Sequence, residues 1–180
     1  MSKVGKKVIN IPSDVYINFI ENAFIVSGVL GSFTYTIQPN ISILVFCNFL
    51  SVFLKNKSRI EHKDQAYFGT IQSILMNAIN GVRYGFRKRL LLNGIGYKAF
   101  IVNDHLILRV GYSHKIERVI PTTLKVTIEN SIIIEIFGID KQIVSQFAAS
   151  VISLKPPDSY KGKGIYYDGV SIKLKEVKKK

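Results

Sequence analysis

Leu124-Lys125-Val126-Thr127-Ile128-Glu129-Asn130-Ser131-Ile132-Ile133-Ile134-Glu135-Ile136-Phe137-Gly138-Ile139-Asp140 is the stretch that decides the fold. Leu124, Val126 and Ile128 alternate with polar residues, as in a half-buried strand. Glu129-Asn130 supplies a turn, and Ile132 to Phe137 runs back as a second strand. The period then changes: Ile143, Val144, Phe147, Ala148, Val151 and Ile152 recur at helical spacing. Asp140 stands where its carboxylate can accept from amides that the first helical turn leaves unpaired, so it is an N-cap rather than a catalytic acid. Lys155-Pro156-Pro157 stops the helix.

Outward from that unit, the chain repeats itself at a shift of about 82 residues, Ala23 to Phe53 against His105 to Ile136. The first copy carries Phe33, Tyr35 and Ile37, then Pro39, then Ile41, Ile43 and Val45, a turn at Asn48, and Phe49 to Leu54. The second carries Lys115 to Ile120, Pro121 and the strands above. Helical spacing follows the first copy at Ala66, Thr70, Ile71, Ile74, Leu75, Ala78 and Val82, with Gly81 and Gly85 expected to close that helix. The expected class is α+β: two tandem repeats of a small antiparallel sheet with one packed helix, residues 1–82 and 83–180. Asp168-Gly169 is expected to form a type I′ turn in a last hairpin belonging to the second repeat. Lys178 to Lys180 reads as a mobile basic end.

The 180 residues hold 25 Lys+Arg against 12 Asp+Glu, a net charge of +13, so the partner sought is a polyanion. Hydrophobic residues make up 47%, enough for true cores and too many for a disordered basic tail. The charge is concentrated. Arg83 to Arg118 has eight basic residues against Asp104 and Glu117, and Lys155 to Lys180 has eight lysines against Asp158, Asp168 and Glu176. An anionic membrane is the weaker partner, because the longest apolar run, Ile41 to Leu54, has a period of two and falls below the roughly 20 residues a spanning helix needs. Asn10 and Pro12 stand where a secretory signal would place its apolar core, so a reducing, cytosol-like compartment is expected. The single cysteine, Cys47, reads as a small buried hydrophobe. Abundant Ile, Lys, Asn, Phe and Tyr with scarce Ala suggest an AT-rich genome, organellar or bacterial.

Pro156 to Tyr167 spaces Lys161 and Lys163 with Gly162 and Gly164 and flanks them with Tyr160 and Tyr166. Lysine brings compact charge, glycine lets backbone approach phosphate, and tyrosine offers a stacking face; together they suit a loop seated on folded RNA. Gly94-Ile95-Gly96-Tyr97-Lys98-Ala99 fits a dinucleotide fingerprint literally, but Tyr97 to Val102 reads as a strand where the fingerprint requires a helix. Gly94 and Gly96 are better used in a bend that exposes Tyr97 and Lys98. In Gly111-Tyr112-Ser113-His114-Lys115, Ser113 and His114 are adjacent on extended chain and point apart, which argues against a nucleophile–base pair. The turn suits RNA backbone contact instead. His62, His105 and His114 lack ligand spacing, and no paired acids or phosphate-loop motif occurs, so no metal, cofactor, small-molecule substrate or catalysis is expected.

These segments resemble a known family, the universal L-six proteins of the large ribosomal subunit, of bacterial and organelle type. The resemblance begins at Val4-Gly5-Lys6-Lys7 and Ile9-Asn10-Ile11-Pro12. It runs through Gly28 and Gly31, Gly81-Val82, Gly85-Phe86, Gly94 to Ala99, Gly111 to His114, Gly138 to Gln142 and Gln146 to Ala149, and ends in the Pro156 to Gly164 loop. It implies a duplicated α+β protein, structural rather than enzymatic, that binds large-subunit rRNA through its C-terminal half near the sarcin-ricin loop and factor-binding side. The first repeat would act as spacer and as a surface for neighbouring large-subunit proteins. The rRNA contacts expected are phosphate pairing by Lys155, Lys161, Lys163, Lys173 and Lys175, a second line from Lys98 and Lys115, and packing by Tyr97, Tyr112 and Tyr160, with Ser113, His114, Gly162 and Gly164 completing the loops. A mitochondrial ribosome is the expected location, with plastid or bacterial cytoplasm as alternatives. An assembly factor and an RNA-modifying enzyme are the competing classes. Lys115 replaces a family proline, Val29 and Leu30 replace basic residues, and Ser159 and Tyr166 replace a proline and an arginine, which implies a terminal loop more flexible and more dependent on stacking.

Overall fold

A computed structural model describes residues 7–176 apart from 21, 39, 47 and 55–61, so the expectations for Cys47, Pro39, Val4 to Lys6 and Lys178 to Lys180 lie outside the described residues. The chain divides into two compact units, Met1–Gly85 and Phe86–Lys180. The break falls at Gly85 rather than after Val82 because the first helix runs on to Tyr84.

In the first unit, β2 (Tyr16–Ile20), β3 (Ala23–Gly28) and β4 (Gly31–Thr36) form one sheet in that order. β1 (Ile9–Asn10), β5 (Ile41–Phe46) and β6 (Phe49–Leu54) form another in the order β1-β6-β5, and α1 spans His62–Tyr84. The second unit repeats this topology. β8 (Lys98–Val102), β9 (His105–Arg109) and β10 (Ile116–Val119) form a meander. β7 (Phe86–Asn93), β11 (Leu124–Glu129) and β12 (Ile133–Gly138) combine as β11-β12-β7, the counterpart of β5-β6-β1. α2 (Lys141–Leu154) follows, and a strand without counterpart, β13 (Gly164–Tyr167), pairs with the free edge of β7. All pairings between the described strands are antiparallel.

The α+β class therefore stands, with each repeat's strands shared between two sheets rather than one. Pro121 shows why: it has no N–H to extend a ladder, so after β10 the chain leaves the meander and enters β11 of the other sheet. The turn expected at Glu129-Asn130 sits one residue later, with Asn130 and Ser131 both at positive φ (52° and 58°).

The second core joins Leu90, Leu92, Ile134, Ile136 and Ile165 on one sheet face to Val144, Phe147, Ala148 and Val151 of α2, with Leu106 and Leu108 from the meander. Each such side chain contributes about 1.5–3 kcal/mol when fully buried. In the first unit Phe24, Val26, Leu50 and Val52 bury beside Ile71, Leu75, Ala78 and Val82. The α1 stripe begins at Ile71; Ala66 and Thr70, expected within it, are exposed, and the Thr70 hydroxyl donates back to the Ala66 carbonyl.

Two expected terminators differ. Gly81 lies inside α1, and Gly85, at φ 71°, ends it by donating its N–H to the Gly81 carbonyl. Asp168-Gly169 is no type I′ turn, because Gly169 has positive φ (80°) and Asp168 does not. Residues 170–176 form no strand, so the last hairpin is absent.

Asp140 caps α2 as expected, its carboxylate accepting from the Gln142 N–H at 2.7 Å. Asp140→Ala is expected to lower unfolding free energy by about 1 kcal/mol, read as a lower urea midpoint with an unchanged slope.

Candidate nucleic-acid interface

The segment from α2 to β13 is a loop folded on its own acid. The Asp158 carboxylate accepts from the Tyr160 and Lys161 N–H groups at 3.2 Å each, its carbonyl accepts from Gly162 at 2.9 Å, and its N–H donates to the Lys163 carbonyl at 2.9 Å. The Asn93 side-chain amide donates to the Gly162 carbonyl at 3.1 Å, and the Ile165 N–H donates to the Lys155 carbonyl at 2.8 Å. Tyr160, Lys161 and Lys163 are left exposed. Such a loop presents charge with little further ordering required on binding, which favours affinity.

Gly162 and Gly164 were expected to let backbone approach a phosphate, yet both are buried. Their lack of a side chain serves the loop itself. A Cβ on Gly164 would lie 2.5 Å from Pro157 Cα and 2.7 Å from the Pro156 carbonyl oxygen, and one on Gly162 would meet Leu174 at 3.3 Å. Ser159 likewise acts through its backbone, its carbonyl accepting from the Lys175 N–H at 2.8 Å. That bond and Leu174 bring exposed Lys173 and Lys175 beside the loop. Tyr166 is a half-buried residue of β13 opposite Leu91, away from the loop tip.

A second turn meets the C-terminal end of α2. The Tyr112 hydroxyl donates to the Leu154 carbonyl at 3.0 Å, the Lys155 ammonium lies 4.8 Å over the Tyr112 ring, and the His114 ring stacks beside it at 6.3 Å. Tyr112, Ser113, His114 and Lys115 are all exposed. No hydrogen bond joins Ser113 to His114 among the described residues.

Tyr97 departs from expectation, being half-buried where exposure was expected. Its ring fills the space left by two glycines: a Cβ on Gly94 would lie 2.8 Å from it, and one on Gly111 3.3 Å. Tyr97 thus joins the Gly94–Lys98 turn to the Gly111–Lys115 turn, while neighbouring Lys98 stays exposed. No helix follows Gly96; β8 does, so the fingerprint there is a coincidence of letters.

Lys98, Tyr112, Ser113, His114, Lys115, Lys155, Tyr160, Lys161, Lys163, Lys173 and Lys175 are accordingly gathered by contacts among four segments. Asn93 and Asp158, which position the loop, were not among the expected site residues. Nothing in the sequence signals an Asn93 partner at Gly162. For Asp158, a short acid before Ser-Tyr-Lys-Gly was a readable turn signal. Among the described residues no His/Cys/Asp/Glu group could hold a metal ion, and no helix is long and apolar enough to cross a membrane.

Comparison with known proteins bears on this loop cluster. The family model described as "Ribosomal protein L6" matches residues 93–168. "Large ribosomal subunit protein uL6" of Dictyoglomus thermophilum is 40% identical over 179 residues, covering 99% of this chain and 98% of the relative. The protein of the same name from Mycoplasmopsis pulmonis is also 40% identical over 179 residues, with the same coverage. "Large ribosomal subunit protein uL6c" of Porphyra purpurea is 34% identical over 178 residues, covering 99% of this chain and 97% of the relative.

Gly164→Ala is expected to destabilise the protein by about 1–3 kcal/mol, since backbone must shift to admit the methyl group. Urea denaturation measures the decrease, and faster amide exchange at Gly162 and Ile165 would locate it in the loop.

Proposed function

The chain belongs to the ribosomal protein L6 family, and from that premise we propose that it is a structural component of the large ribosomal subunit, seated on large-subunit rRNA by the loop cluster of its second unit, near the sarcin-ricin loop and factor-binding side. The observation that carries this reading is the convergence of cationic segments far apart in sequence, held by the Tyr97, Tyr112, Asn93 and Ser159 contacts. Lys155, Lys161, Lys163, Lys173 and Lys175 pair with phosphates, Lys98 and Lys115 add a second line, and Tyr160 packs on sugar or base. Tyr97 serves from behind, by holding two turns together.

The first unit acts as spacer and as a surface for neighbouring large-subunit proteins. Residues 41–54 carry no charged side chain. On one face of the β5–β6 hairpin Leu44, Phe46, Phe49 and Phe53 are exposed, Phe46 by 79%. Without cations that face offers little to a phosphate backbone and suits an apolar protein neighbour. The protein works without catalysis and without a cofactor. The Ile-, Lys- and Asn-rich composition supports an organellar ribosome, mitochondrial before plastid, with a bacterial one as the alternative.

The test is affinity for a transcribed large-subunit rRNA fragment against salt concentration. Lys161→Ala with Lys163→Ala should weaken binding and reduce the log–log slope by about 0.7 to 0.9 for each phosphate no longer engaged. An unchanged slope would remove this loop from the interface.

A further inference from the structure

The meander of the second unit sets like charges opposite one another. Lys98 of β8 pairs in register with Arg109 of β9, so both side chains leave the same face of the sheet. Both are exposed, while Ala99, Leu106 and Leu108 on the other face are buried. Ile116 of β10 pairs with Leu108, so Lys115, one residue earlier, comes to the register position beside Arg109. Directly opposed like charges destabilise a sheet.

Elsewhere in the same unit the chain avoids this. On the open face of the larger sheet, Arg87 lies 3.2 Å from Glu135, and Arg89 lies 3.3 Å from Glu129 and 3.7 Å from Glu135. Neither Lys98 nor Arg109 has such a partner among the described residues. Glu117 shares their face, opposite Ile107 and diagonal to Arg109, but makes no ion pair with it. The Arg109 guanidinium instead lies 5.8 Å over the Phe100 ring, which holds it at the surface. The row is also continuous with the loop cluster: Lys98 follows Tyr97, whose ring packs on Gly111, and Lys115 closes the Gly111 turn.

We infer that Lys98, Arg109 and Lys115 form a phosphate-binding row that carries the RNA contact from the loops onto the face of β8–β10, with Arg109 at its centre. The inference rests on the rRNA reading above and adds Arg109, a residue outside the expected set. A phosphate between Lys98 and Arg109 turns a repulsive pair into two charge-assisted contacts, and the planar guanidinium can engage two phosphate oxygens at once.

Arg109→Gln removes the charge and keeps much of the stem. Against the same transcribed rRNA fragment it should bind more weakly and lower the salt slope by about 0.7 to 0.9, whereas Arg109→Lys should keep the slope. Without RNA, the Gln variant should melt at a higher temperature than the unaltered protein in low salt, the two converging in high salt as screening removes the repulsion. An unchanged slope for Arg109→Gln, beside a reduced one for the Lys161/Lys163 double variant, would overturn the row and leave the rRNA reading standing. Failure of the unaltered protein to bind the fragment would end both. A melting temperature that is equal or lower in low salt would show that the arginine supports the sheet, and would overturn the inference. Inorganic phosphate added at constant ionic strength should leave RNA affinity unchanged; competition specific to the unaltered protein and absent in Arg109→Gln would assign the row to a small anion instead.

Discussion

The packing of α2 on the β11-β12-β7-β13 sheet is the constraint from which the rest of the second unit follows. Val144, Phe147, Ala148 and Val151 can be buried together only with the helix lying along Leu90, Leu92, Ile134, Ile136 and Ile165. That choice fixes where Leu154 and Lys155 emerge. The Leu154 carbonyl, left without a helical partner at the C-terminal end, is met by the Tyr112 hydroxyl, and the Lys155 carbonyl is met by the Ile165 N–H. Hydrophobic burial, which is non-directional, thus decides the position of directional polar groups. The cationic loop inherits its place from a core containing none of its own residues.

Charge is handled in two ways within this unit. Where arginines face solvent on the larger sheet, Glu129 and Glu135 answer them. In the loop cluster the only nearby acid, Asp158, has both carboxylate oxygens turned to backbone amides, so it shapes the loop and neutralises little of its lysine charge. A protein retaining unanswered cations beside answered ones has kept them for an anion that arrives later. Because exposed ion pairs are worth only about 0–1 kcal/mol, leaving a few unmade costs the free protein little, while each phosphate engaged adds a salt-dependent increment to binding.

Much of this was legible in the sequence because periodicity and turn chemistry are local. The change from period two to helical spacing, the Asp140 cap, the break at Pro156-Pro157 and the duplication all rest on residues a few positions apart. The illegible features are those that depend on distant partners. Tyr97 reads as an exposed aromatic until Gly111 is found against its ring, and Gly162 and Gly164 read as phosphate-facing until Pro157 and Leu174 fill the space beside them. Asp168-Gly169 carries the composition of a hairpin turn, but the chain after it turns back to Ser159 instead of pairing with β13. Arg109 was visible as charge, and only the register of β8 with β9 shows that it faces Lys98.

The duplication also explains why the two units differ in what they can bind. Both arrange their strands alike, β1-β6-β5 in the first and β7-β12-β11 in the second. After α1 the chain turns at Gly85 and passes directly into β7 of the next unit. After α2 it continues, and β13 adds to the edge of β7 that the shared topology leaves open. An antiparallel strand placed there must be reached from Leu154 by a connection long enough to return beside Asn93, and that connection is Lys155 to Lys163. The cationic loop is therefore the link required by an added strand. Closing a sheet edge, a structural gain in itself, created the surface on which the lysines could be placed.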